Sequence, residues 1–330
     1  MGSAELITEL VRAHAVGDDR RWRNVLAQLI AAESRAGHVN QASRLRQLLS
    51  EMDEAGARRT AESSPGQPIQ LARAPRDLAD VLDIRYSDVQ LDDLVLPVVL
   101  RDSLQRVLDE QRLADRLAQH GLKPRRRLLL HGPPGCGKTM AAQALAGELR
   151  IPLARVRLEV LFNKYLGETA ATLTDLFEQM RRSRAVYLFD EFDALGKQRN
   201  DDSDVGEVKR IVGTFLQLLD ADDSDSLVVA ATNLGGSVDF ALTRRFDDVI
   251  AFPPPDQDAL LRLLGRLLRT HRLSKQTLLH LAKEAAGLSF ADTRAAVDNA
   301  RKAAILDDRE TLGLEDVATE LSRRTRTGSL

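Results

Sequence analysis

Residues 128–139 read Leu128-Leu129-Leu130-His131-Gly132-Pro133-Pro134-Gly135-Cys136-Gly137-Lys138-Thr139, and an alanine-rich stretch follows from Met140. A short apolar run, a loop with three glycines and a helical pattern stand here in immediate succession. The run reads as a buried strand, and the loop joins it to a helix N-terminus. Glycines at such a junction let backbone N–H groups converge on an anion without side-chain clash, and the helix dipole adds partial positive charge. Lys138 supplies a point charge at the same place, and Thr139 a hydroxyl able to ligate a divalent cation. The spacing is that of a phosphate-binding loop formed by Gly132, Pro133, Pro134, Gly135, Cys136, Gly137, Lys138, Thr139 and Met140. Cys136 reads as a small spacer in this loop, because no general base is arranged near it in sequence.

Downstream, Val186-Tyr187-Leu188-Phe189 is a second apolar run, ending in Asp190-Glu191. A strand that lifts two carboxylates to its C-terminal end suits Mg²⁺ positioning by Asp190 and activation of an attacking water by Glu191 as general base. Further apolar runs are Leu227-Val228-Val229-Ala230-Ala231 and Val249-Ile250-Ala251-Phe252. Continuous apolar strands separated by helical patterns predict an α/β unit with a parallel sheet covered on both faces. Asn233 follows the third run, where it is either a turn residue or a group that orients the water.

Outward from this centre the chain divides. Residues 85–252 hold the α/β pattern. Pro253-Pro254-Pro255 ends it, and residues 253–325 return to helical periodicity, with a short polar tail at 326–330 expected to be disordered. Residues 54–84 include Ser63-Ser64-Pro65-Gly66-Gln67-Pro68 and read as a flexible linker. Residues 1–53 carry apolar positions at helical spacing in three short segments: Leu6 and Leu10, then Trp22 to Ile30, then Val39 to Leu49. That predicts a small helical bundle.

Composition excludes several classes. With 47 basic and 49 acidic residues the formal charge is −2, which gives no global attraction to nucleic acid or anionic membrane. No uncharged apolar stretch approaches the roughly 18 residues of a membrane span, and the N-terminus lacks the apolar core of a signal peptide. Cys136 is the single cysteine, so no intrachain disulfide can form. The expectation is a cytoplasmic protein without membrane or nucleic-acid partners.

The motifs together resemble a family. Over residues 85–310 the chain resembles the AAA clade of AAA+ ATPases, as a bacterial-type, single-ring member. The resemblance rests on the 132–139 loop, Phe189-Asp190-Glu191-Phe192-Asp193, Ala231-Thr232-Asn233, Leu242-Thr243-Arg244-Arg245-Phe246-Asp247 and Gly287-Leu288-Ser289-Phe290-Ala291-Asp292. It implies an AAA+ large subdomain followed by a helical lid, with ATP and Mg²⁺ as cofactors and Asn233 near the attacking water. It implies a ring, most often hexameric, in which Arg244 and Arg245 complete the neighbour's site. Lys164-Tyr165-Leu166-Gly167-Glu168 resembles the aromatic pore loop of unfoldases, so that Tyr165, Leu166 and Gly167 would grip a protein substrate threaded through the ring. On that reading residues 1–53 recruit a partner protein or a protease, or else help assembly. The alternative is a nucleotide switch acting as loader or regulator of a nucleic-acid or protein complex; no clustered basic element supports it. Two departures from the family pattern lie beside the expected base: Leu94-Val95-Leu96-Pro97 and Phe290.

Overall fold

The computed structural model describes residues 78–163, 169–192, 202–233, 243–271, 273–309 and 312–327. The chain divides into two compact units, Met1–Ile69 and Gln70–Leu330, and the described residues all belong to the second. The predicted N-terminal bundle, most of the predicted linker and the Tyr165-Leu166-Gly167 loop lie outside them.

The described chain forms a six-stranded sheet: β1 (Leu82–Arg85), β2 (Arg127–His131), β3 (Leu153–Val156), β4 (Val186–Phe189), β5 (Leu227–Thr232) and β6 (Asp248–Ala251). The order across the sheet is β1-β3-β4-β5-β2-β6. All neighbours are parallel except β1, which pairs antiparallel to β3 with Leu82 opposite Val156. The predicted parallel sheet is therefore present, with an antiparallel strand on one edge. Residues 78–84, expected as the end of the linker, instead belong to this unit. Leu78, Val81 and Leu82 are buried, and β1 adds to the sheet. A four-residue edge strand is too short to show the alternation that would separate it from a loop.

Both faces of the sheet are covered, which is why its central strands carry continuous apolar runs in their interiors. Leu128 and Leu130 of β2 pack with Leu188, Leu227, Val229 and Ala231 beneath α1 (Val98–Arg112) and α3 (Lys138–Leu149). A short α2 (Ala114–Gln119) follows α1. Leu129, Tyr187, Phe189, Val228 and Ala230 point the other way, toward α5 (Thr169–Arg182) and α6 (Asp202–Ala221), with α4 (Leu158–Asn163) at the margin. There Phe215 of α6 meets Phe177, Phe189 and Phe192 with ring centroids 5.0–5.9 Å apart. Alternating residues of single strands thus feed two separate cores.

After Pro253-Pro254-Pro255 come four helices: α7 (Gln257–Leu267), α8 (Lys275–Glu284), α9 (Phe290–Leu306) and α10 (Leu314–Thr327). They enclose a third core of Leu260, Leu264, Leu281, Val297, Val317 and Leu321. Three of these helices start on side-chain caps: Asp256 accepts from the Ala259 N–H, Ser274 from that of Thr277, and Ser289 from that of Asp292. Among the described residues no helix is long and apolar enough to cross a membrane.

Candidate active site

Strand order decides what meets at the carboxyl ends of the sheet. β5 lies between β2 and β4, so the residue that follows β5 stands between the loop after β2 and the carboxylates after β4. Crevices at the carboxyl ends of parallel strands are where such sheets hold ligands. Lys138, the first residue of α3, is 6% exposed, and its Nζ donates to the carbonyls of Gly132 at 2.7 Å and Pro133 at 2.8 Å. It also donates to Asn233 Oδ1 at 2.9 Å. Thr139 Oγ1 donates to Asp190 Oδ2 at 3.0 Å. The other Asp190 oxygen accepts the Glu191 N–H at 3.1 Å. Glu191 itself is exposed and has a left-handed backbone, with φ of 53°. A non-glycine residue rarely holds that conformation unless its surroundings impose it. Here Phe192, next in the chain, is buried, and its N–H is bonded to the Ala231 carbonyl at 2.8 Å.

The loop needs its glycines for reasons beyond ligand access. A Cβ on Gly132 would lie 2.1 Å from the Phe252 carbonyl oxygen, at a φ of 145°. A Cβ on Gly135, at φ 73°, would lie 2.4 Å from Ser289 Oγ. The second contact comes from the lid: the Ala291 N–H, in the first turn of α9, donates to the Gly135 carbonyl at 3.2 Å. The phosphate-binding loop and the lid therefore touch directly.

A cavity of about 390 Å³ opens at this point. Pro134 to Met140 line one side, with Asp190, Glu191 and Asn233. Asp93, Leu94, Val95 and Leu96 line a second side, and Leu263, Phe290, Ala291 and Arg294 of the lid a third. Both departures from the family pattern, Leu94–Leu96 and Phe290, thus face the ligand space. The lid also holds the Leu94 segment in place, for Arg266 donates to the Asp92 carbonyl at 2.8 Å. Cys136 is 2% exposed, and burial pushes its thiol up, away from the thiolate form.

Arg244 and Arg245 do not line this cavity. Asp247, just after them, accepts the backbone N–H groups of Arg126 and Arg127, so the segment is tied to the amino end of β2. Arg245 turns inward, paired with Asp220 and 3.4 Å from the Leu216 carbonyl. Arg244 is exposed. Two further cations escape a sequence reading. Arg294 lines the cavity from α9, and Arg155 of β3 lies 3.3 Å from Asp190 Oδ2. No local spacing marks either one, since each reaches the site through tertiary structure.

Known proteins carry the same pattern. The family described as "ATPase family associated with various cellular activities (AAA)" matches residues 128–254. An uncharacterized AAA family ATPase, y4kL of Sinorhizobium fredii, is 35% identical over 99% of this chain and 96% of its own length. The proteasome-activating nucleotidase of Methanopyrus kandleri is 33% identical over 73% of this chain, which spans 56% of that protein. Another, from Pyrococcus abyssi, is 36% identical over 66% of this chain and 56% of its own length. Among solved structures, the FIGL-1 AAA domain shares the fold with a TM-score of 0.61 at 22% identity, covering 76% of this chain and 91% of its own. It is also known in complex with ADP, at a TM-score of 0.60. Loop, carboxylate pair and intervening Asn233 meet at one crevice, and a relative matches nearly end to end. The chain is an ATP-binding, ATP-hydrolysing member of the AAA family.

Proposed function

We propose that this chain works in a head-to-tail ring, hexameric, and spends Mg²⁺-dependent ATP hydrolysis on pulling or unfolding a protein substrate in the cytoplasm. One observation carries the ring. The Arg244 segment is anchored at the amino end of β2, whereas the nucleotide crevice lies at its carboxyl end. Five strand residues rise about 13 Å at ~3.3 Å each, which keeps Arg244 away from its own site. An exposed guanidinium is always charged and suits phosphate geometry, and a second copy would bring a nucleotide to it.

The residues present fit MgATP. Gly132 and Gly135 keep the loop free of Cβ atoms where it packs closely on its neighbours, and Lys138 can exchange two carbonyl partners for phosphate oxygens. Thr139 and Asp190 already share a hydrogen bond at the site a Mg²⁺ would take. Mg²⁺ bound there would offset phosphate charge. Glu191 accepts the proton of the attacking water, and Asn233, next to Lys138, orients that water. Arg245, held by Asp220, positions the loop that presents Arg244.

The protein substrate is supported by the relatives named as proteasome-activating nucleotidases and by the Lys164–Glu168 sequence, with Tyr165, Leu166 and Gly167 as the gripping loop. Residues 1–53 then recruit a partner protein or protease. The test mixes two inactive chains. Lys138→Ala lacks its own pocket, and Arg244→Ala lacks the group it lends. Mixed rings should regain ATPase activity, because hybrid interfaces pair an intact pocket with an intact arginine. A mixture as inactive as its components would overturn the shared site.

A further inference from the structure

Arg155 is a cation that the site described above does not use. It lies on β3 opposite Leu188 of β4, so it shares a sheet face with Leu188 and, one step further, Asp190. That face is the one covered by α3, whose first turn carries Lys138 and Thr139. Leu153 and Leu188 there are buried under α3, but Arg155 stands where the cover ends, with its side chain 51% exposed. From there one guanidinium nitrogen comes within 3.3 Å of Asp190 Oδ2. This is the oxygen that accepts the Thr139 hydroxyl at 3.0 Å. The Asp190 side chain is only 13% exposed, so its charge is poorly screened by water.

We infer that Arg155 is a positioning residue that occupies the electrostatic place of the metal in the nucleotide-free site and must be displaced from Asp190 when Mg²⁺ enters with nucleotide. Two cations cannot share one carboxylate oxygen without strong repulsion. The divalent ion wins because it also binds phosphate, while Arg155 has water on its outer side and can swing away. Arg155 thereby keeps Asp190 oriented when the site is empty and raises the Mg²⁺ concentration needed to fill it. The inference rests on the assignment of Thr139 and Asp190 as the metal-facing pair.

The experiment follows a fluorescent, non-hydrolysable imidodiphosphate analogue of ATP bound to the full chain, titrated with Mg²⁺, and needs no turnover. Arg155→Gln and Arg155→Ser, both at a half-exposed position, remove the charge. Each should lower the Mg²⁺ midpoint about two- to five-fold, the scale of a partly exposed ion pair. Affinity for the analogue in EDTA should stay unchanged, because Lys138 and the glycine loop are intact. Arg155→Lys, which keeps the charge, should titrate like the wild type. An unmoved or raised midpoint in the neutral variants overturns the inference, as does an equal change with and without Mg²⁺, which would put Arg155 on the phosphates instead. If Mg²⁺ fails to tighten binding even in the wild type, the metal assignment falls and the inference with it. A wild type that responds beside variants that do not differ from it removes the inference alone.

Discussion

Lys138 and Glu191 sit within one crevice but carry different burdens. Lys138 is buried and ties Gly132, Pro133 and Asn233 together, so it braces the loop in addition to the phosphate-charging role proposed for it. Glu191 is exposed and makes one local backbone contact with Asp190. Glu191→Gln should therefore retain nucleotide and the fold while turnover falls about 10²- to 10⁴-fold, the usual contribution of a positioned base. Steady-state ATPase rates beside equilibrium nucleotide binding check this; equal loss of both would remove Glu191 from the base role. Gly135→Ala acts differently. Its Cβ would meet Ser289 Oγ at 2.4 Å in a left-handed conformation, so the lid must retreat from the loop. Nucleotide affinity should drop at least ten-fold in direct binding measurements, although no group that touches phosphate has been removed.

At the scale of elements, the end of α1 is bound to the start of β2 and to β6 through one arginine. Arg125 donates to Glu110 through Nε and a terminal nitrogen at 2.7–3.1 Å, and to Asp248 at 2.5 Å. Its side-chain hydrogen bonds to Glu110 hold that carboxyl below the ordinary carboxylate range. A depressed acid stabilises the fold above its unfolded pKa, about 4.3 for Glu, and that stability is lost as pH falls through the lowered folded value. Glu110→Gln should thus reduce the melting temperature at pH 7, and the deficit should shrink as pH falls below about 4.3, the unfolded value. Melting curves across that window read the difference, and a pH-independent deficit would point to packing instead of charge. The lid offers a second element-scale case. Ser289 caps α9 and also packs on Gly135, so Ser289→Ala should cost about 1 kcal/mol as a lost cap and loosen nucleotide as well.

For the whole molecule, the two ends of one sheet serve different purposes. The carboxyl ends carry the loop, the carboxylate pair and Asn233, and the amino ends carry Arg244 on a segment fastened by Asp247. If that arginine works on a neighbour, activity per chain depends on assembly. Specific ATPase activity should fall on dilution below the dissociation constant of the assembly and recover on concentration, while Arg244→Ala stays low throughout. Full turnover by dilute single chains would exclude the shared site. The lid extends this scale, because α9 touches Gly135 and α7 holds the Leu94 segment through Arg266. Nucleotide held in the cavity between them would contact both subdomains at once.

Residues 132–139 and 186–191 are legible in sequence because each is a contiguous stretch whose chemistry follows from local spacing: strand, turn, helix start; strand, carboxylates. The sandwiched sheet is equally legible, since central strands buried on both faces carry continuous apolar runs, as Leu128–Leu130 of β2, β4 and Leu227–Ala231 of β5 do. The short strands β1 and β3 are not. Four residues such as Leu153-Ala154-Arg155-Val156 carry no period of their own and become strands only by pairing. The same holds for contacts distant in sequence. Lys138 meets Asn233, 95 positions away, only because β5 inserts between β2 and β4. Arg155 meets Asp190 only because β3 lies beside β4. The paired arginines look alike in sequence, yet Arg245 is drawn in by Asp220 at the end of α6 while Arg244 stays exposed. Local sequence thus determined the loop, the carboxylates and the layered class, whose signals lie within one turn or one strand. Tertiary structure alone decided which charges oppose one another, because strand order is set by the packing of the whole core and not by any one segment.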